Sequence, residues 1–274
     1  AFTMSTADDD NAQRSAASTN RSGASSLESP KDEALFKEPP PRGECDICML
    51  LLPLSASEQK YQSCCGKMLC MGCIHAAYTA DTRELCPFCR TPEATSGGEL
   101  IKRIKKRAEG DDANAIHTLG GLYHHGEIGL PRDFDKAMEH WLRSGELGCA
   151  ESYFNIAAAY DNSEGVERDT KQAKHYYELA AMGGDVEARH NLGIFEWNES
   201  NMNRAVKHWM ISAGAGDDDS LKEIRECFFK GHATKNDFEK ALRAHKDAKD
   251  EMKSDQRDAA AAFLAARAAA RGQN

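Results

Sequence analysis

From about residue 110 onward, apolar side chains recur at intervals of three and four, the spacing that stacks them on one face of an α-helix. Ala115, Leu119, Gly120 and Tyr123 form one such face, Ser152, Ile156, Ala157 and Tyr160 a second, and Ala188, Leu192 and Gly193 a third. A second series interleaves with these. Ala137, Ala173, Ala205 and Ala241 lie 36, 32 and 36 residues apart, and Trp141, Tyr177, Trp209 and His245 each follow four residues later. Gly148, Gly184 and Gly216 close three of the units. Two apolar faces in each period of about 36 residues predict a stack of antiparallel helix pairs, an α-solenoid of about four units. The recurring aromatics are expected as wedges in its core. Gly120, Ala157 and Gly193 are expected where the paired helix must come close.

The pattern divides the rest of the chain. Residues 1–43 are Ser, Ala, Asp and Asn with few large apolar side chains and end in EPPPRG; they read as a disordered tail. Residues 44–92 hold eight of the ten cysteines. Residues 93–109 read as a linker with the basic run IKRIKKR, residues 110–250 as the repeats, and 251–274 as an Ala-rich capping or frayed helix. The fold class is therefore mainly α, a small metal-stapled module joined to a solenoid. The 41% hydrophobic and 29% charged content suits a globular protein. A net charge of −9 argues against general binding of nucleic acid or an anionic membrane surface. No apolar run is long enough to span a bilayer, and the N-terminal residues lack the apolar stretch of a secretory signal. A reducing, cytoplasmic setting is the default expectation, with IKRIKKR read as a nuclear address or as a solvated helix face.

In that setting clustered cysteines favour metal over disulfides. They run Cys45-x2-Cys48, Cys64-Cys65, Cys70-x2-Cys73 and Cys86-x2-Cys89. Each C-x-x-C brings two thiolates within one tight turn of a single tetrahedral ion, and eight thiols make two complete zinc sites. A segment this short and poor in core-formers needs such staples to fold. His124, His125 and His117 sit on a repeat's first helix and read as exposed polar residues, not a third site. Cys149 and Cys227 read as small packing residues, and Asp217 to Ser220 as an acidic helix start favoured by the dipole.

The repeats resemble the Sel-one-like repeat family, best in ANAIHTLGGLYHHGEIGLPRDFDKAMEHWLRSGELG. The third unit has a shortened loop and Glu196 in place of an aromatic, and the fourth carries Arg225 at the small position. The family implies an α-solenoid whose concave face holds other proteins. The cysteine block resembles a RING finger, whose ligand pairs interleave. That resemblance puts Cys45, Cys48, Cys70 and Cys73 on one zinc and Cys64, Cys65, Cys86 and Cys89 on the other. Lys67 stands where most RINGs carry a ligating His, so the match is to an all-cysteine variant, with His75 the reserve donor for Cys64. It further implies a ubiquitin-protein ligase that orients a ubiquitin-loaded conjugating enzyme, contacting it through Ile47, Pro87 and Arg90, while the repeats take a substrate or scaffold partner. Tyr78 falls where the family's groove helix offers Trp. The plainer alternative is a non-catalytic adaptor, in which Ile47 and Pro87 only shape the turns and Arg90 is a solvated charge.

Overall fold

The computed structural model describes residues 32–80 and 84–271. Four antiparallel helix pairs form the body: α4 (Ala113–His125) with α5 (Phe134–Glu146), α6 (Ala150–Asn162) with α7 (Thr170–Met182), α8 (Val186–Asn198) with α9 (Met202–Gly214), and α10 (Asp218–Phe229) with α11 (Lys235–Met252). Asp112, Asp133, Asp169, Asp185 and Asp217 cap five of these helices by accepting a first-turn backbone N–H, and Thr234 makes a capping box at α11. The last acid is the expected helix start. At α6 the same place is held by Cys149.

The wedges lie where the period put them. Trp141, Tyr177 and Trp209 are buried, and each packs toward the small residue of its paired helix. A Cβ built on Gly120 would meet Trp141 at 2.4 Å, and one on Gly193 would meet Trp209 at 2.3 Å. Where the wedge is the smaller Tyr177, an alanine, Ala157, shares its cluster. Glu196, replacing an aromatic, is fully buried between Lys174 at 3.3 Å and Arg204 at 3.0 Å. His124 departs from its reading: it is buried, its ring 5.2 Å from both Phe134 and Trp141. Arg225 is exposed, and Ile224 and Cys227 fill the core of the fourth unit.

Three segments outside the repeats are more structured than the sequence suggested. The basic run belongs to α3 (Gly97–Ala108), whose Ile104 and Ala108 close a cluster with Ala115, Ile116 and Leu119 of α4. Lys102, Lys105 and Lys106 face solvent while Arg103 and Arg107 turn inward. The Ala-rich C-terminal segment is α12 (Asp255–Arg271). It does not cap the repeat stack; it folds back onto α2 (Met71–Thr79) in the cysteine module, where Gly72 leaves room for the Arg257 backbone. The reading of 1–43 as a disordered tail fails for residues 32–43. A single turn, α1 (Asp32–Leu35), places Leu35 fully buried among Tyr177, Ala180, Ala181, Ala188 and Leu192. The stretch has too few apolar residues to make its own core, but it borrows one. The rest of that call, residues 1–31, lies outside the described residues.

Candidate metal centre

The cysteine module is built from two like turns and a hairpin. At the first turn Cys45 N–H donates to Leu50 O and Met49 N–H to Cys45 O; at the last, Cys86 N–H donates to Thr91 O and Arg90 N–H to Cys86 O. The residue after each pair, Met49 and Arg90, takes a left-handed backbone with φ of 56° and 60°. Between them β1 (Gln59–Gln62) and β2 (Lys67–Cys70) pair antiparallel, with Gln62 opposite Lys67. The connecting turn carries Cys64 and Cys65 and closes on Gly66 at φ 74°. Cys70 caps α2, and Cys73 lies in its first turn.

This arrangement gathers the eight thiols into two groups of four, Cys45, Cys48, Cys70 and Cys73 in one and Cys64, Cys65, Cys86 and Cys89 in the other. Within each group the sulfurs lie within 4.8 Å of one another. Cys48 to Cys70 and Cys65 to Cys86 are both 3.8 Å, and Cys64 to Cys89 is 3.4 Å. Four sulfurs about 2.3 Å from a common centre have tetrahedral edges of about 3.8 Å, so both cages are the size of a tetrathiolate metal site. All eight are free cysteines. His75 is in neither group; its ring lies 4.9 Å from that of Phe263 of α12, tilted by 44°. Lys67 also points elsewhere, its ammonium 2.8 Å from Asp46 and 5.5 Å from the Phe88 ring.

The thiols do not share one acidity. Burial would raise Cys45, but the N–H groups of Cys48, Cys70 and Ile47 bring it down to about 7. At Cys89 burial is likewise outweighed, chiefly by Thr91, whose hydroxyl is 3.2 Å away, and the value falls to about 6. Cys64, Cys65 and Cys73 are pushed up by burial first and by neighbouring sulfurs after it, Cys65 to about 11. Crowded sulfurs of this kind resist becoming thiolates together unless a cation offsets their charge.

Residues without a motif brace the cages from outside. Arg107 of α3 donates to Ser63 O and Cys64 O, both at 2.9 Å. Arg257 of α12 donates to Leu51 O at 2.8 Å and lies 3.7 Å from the Cys48 sulfur. Arg42 donates to Leu52 O on the module and to Ala215 O on the repeats. Tyr61 of β1 donates to Asp112 at the start of α4, 2.7 Å apart. The two parts of the chain are thus tied at several points. Sequence spacing gave no signal for these arginines, because their acceptors are backbone carbonyls up to 206 residues away.

Of the proposed enzyme-contact residues, Ile47 is 40% exposed, Arg90 is exposed and Pro87 half-buried. Pro87 and Tyr78 border a cleft of about 250 Å³ with Ile74, and Ala260, Phe263 and Leu264 of α12 form its other wall. So α12 walls the cleft that Pro87 and Tyr78 border.

Fold and site together define a helix-pair repeat protein with a module that holds two four-cysteine clusters. The Sel1 repeat model matches residues 113–149, 150–185 and 226–243, so the chain carries Sel1 repeats, and all matched residues lie in the helical body. Among relatives, it is 28% identical over 111 residues to the "ERAD-associated E3 ubiquitin-protein ligase component HRD3B" of Arabidopsis thaliana, covering 40% of this chain and 17% of that protein. It is 30% identical over 132 residues to the "Chitin synthase regulator SKT5" of Saccharomyces cerevisiae, covering 44% and 18%. The chain therefore spans less than a fifth of either relative. Among solved structures, a Sel1 repeat protein from Oxalobacter formigenes is 28% identical with a TM-score of 0.49, covering 56% of this chain and 64% of that one.

Proposed function

We propose that this protein is a two-surface adaptor, in which the Sel1 repeats hold one protein partner and a module stapled by two zinc ions presents a second docking face. The observation that carries it is the pair of four-sulfur cages braced to the repeats by Arg42, Arg107 and Arg257. Those contacts hold the two surfaces in a fixed relation, which is what an adaptor needs. All-sulfur tetrahedral sets suit zinc, and a closed set leaves no position for an activated water. Zinc here would supply folding energy, while the chain's own residues do the binding. Both relatives carry names of the same kind, a ligase component and a regulator of another enzyme.

A second reading is favoured by one further observation: the cages interleave as a RING's do, and Ile47 and Arg90 emerge exposed beside them. On that reading the module is a ubiquitin ligase, catalysing by orientation: Ile47 and Pro87 seat the conjugating enzyme and the forked donors of Arg90 hold its ubiquitin. The presence of α12 along the groove and of Tyr78 in the family's Trp position weigh toward the adaptor. An autoubiquitination assay over a panel of conjugating enzymes separates the two. Transfer by the full chain that Ile47→Ala abolishes, with both zincs retained, establishes the ligase; inactivity with both zincs bound leaves the adaptor.

A further inference from the structure

The groove between α7, α8 and α9 is filled by the chain's own residues 32–36, and the manner of filling resembles a receptor with its ligand. Leu35 is fully buried among Tyr177, Ala181 and Leu192. Its carbonyl accepts from Arg189, a residue only 2% exposed that otherwise donates to Ala181 O. Phe36 packs its ring 4.6 Å from His208, with Arg204 and Lys207 each 5.2 Å from the ring centroid. Asp32 pairs with Arg204, which is held in turn by Glu196. Carboxylate, leucine, carbonyl and aromatic ring each have a counterpart on the repeats.

Two features bear on what the groove is built to hold. The polar side chains that meet the segment come from two successive helices of the stack, Arg189 from α8 and Arg204, Lys207 and His208 from α9, and the Arg189 N–H that meets Leu35 O has its acceptor in the segment. His208 is fully buried with neither ring nitrogen hydrogen-bonded, so the present occupant leaves part of the recognition chemistry unused. From these contacts we infer that the groove is a receptor for a partner protein's peptide of the form acidic-x-x-Leu-aromatic, and that residues 32–36 occupy it in cis. The segment is followed by Pro39, Pro40 and Pro41 and then by Arg42, which bridges the cysteine module and the repeats. A partner that displaces Leu35 and Phe36 therefore frees the strap leading into the first cysteine turn. This inference deepens the repeats' half of the adaptor reading and stands without the zinc half.

The test is fluorescence anisotropy with a labelled peptide of residues 32–43 and the full chain. Tethering gives the cis segment an effective concentration on the order of millimolar. Full-length Leu35→Ser/Phe36→Ser, with its helicity intact, should therefore bind the peptide at least about tenfold more tightly than the unaltered chain. A peptide carrying the same two changes should not bind. Equal affinity for both proteins, or no binding to the folded variant, overturns the inference. Should the variant fail to fold, a protease site replacing Pro39 to Pro41 in the otherwise unaltered chain gives the same reading. After cleavage, excess peptide must displace the amino-terminal fragment, and retention of that fragment overturns the inference. A partner captured equally well by the unaltered and double-variant chains binds elsewhere; that result sinks this assignment and leaves the adaptor standing.

Discussion

Replacing Cys45 by Ser is the sharpest test of the metal reading, because it removes one sulfur from the first cage and nothing from the second. A structural zinc in small domains contributes about 10–16 kcal/mol at neutral pH, so one thiolate of four is worth roughly 3–4 kcal/mol, or about a hundred- to a thousandfold in affinity. The module has little else to fall back on. Its apolar cluster is Leu69 with Cys45, Cys70 and Cys73, and Leu69 is its one fully buried large aliphatic side chain among the described residues. Burying that side chain contributes about 2–3 kcal/mol, less than the lost ligand. The repeats have separate clusters and should keep their helicity. The assay is metal content after dialysis against a competing chelator, with limited proteolysis alongside. One zinc per chain instead of two, and new cleavage between residues 44 and 80, are expected. His75→Ala, which touches neither cage, should retain both ions. A Cys45→Ser protein that keeps two ions and resists protease refutes the ligand assignment, and unaltered protein whose eight thiols are bridged to one another refutes the metal reading altogether.

Gly193→Ala should lower the unfolding midpoint by several degrees. The added methyl would sit 2.3 Å from the Trp209 indole, which also donates to His190 O, and overpacking of about 1–3 kcal/mol exceeds the helix-propensity gain of about 1 kcal/mol. Adding Trp209→Tyr rebuilds the Ala157–Tyr177 pair and should recover part of the loss; a single variant as stable as the unaltered chain would show the contact to be slack. Burial pushes Glu178 up to about 7, with Lys174 and Arg204 opposing, so the folded state binds the extra proton and stability falls as pH rises from about 4.5 to 7. Glu178→Gln should accordingly stabilise by roughly 1–3 kcal/mol at pH 8 and by little at pH 4.5 in urea titrations; an equal effect at both values would contradict the shift. His208, held down to about 3 by burial and then Arg189, works in the opposite sense, removing stability as pH falls below 6.5. Cys149 at the α6 N-terminus is lowered, since His117 outweighs the cost of burial, whereas burial raises Cys227 to about 11. Iodoacetamide at pH 7 on zinc-loaded protein should mark Cys149 first by peptide mass spectrometry, and earlier labelling of Cys227 would refute the contrast.

The sequence by itself determined the repeats and the stock of thiols. Helix pairs packing on their neighbours leave a period, so Trp141, Tyr177 and Trp209 and the small residues facing them could be placed without coordinates. Cysteines with two residues between them share a turn by chain geometry alone, so the number of thiols was legible. How the pairs group was available only from the RING resemblance until the hairpin of β1 and β2 set Cys64 and Cys65 against the last turn. Tertiary structure alone decided the rest. Leu35 and Phe36 sit in a stretch too polar to make a core, and an isolated Leu-Phe pair carries no periodicity to announce a groove 150 residues away. Arg107 looked like one more charge in a basic run, and α12 like a frayed alanine helix. Their acceptors are backbone carbonyls, which every residue possesses, so only the fold can say which of them an arginine meets.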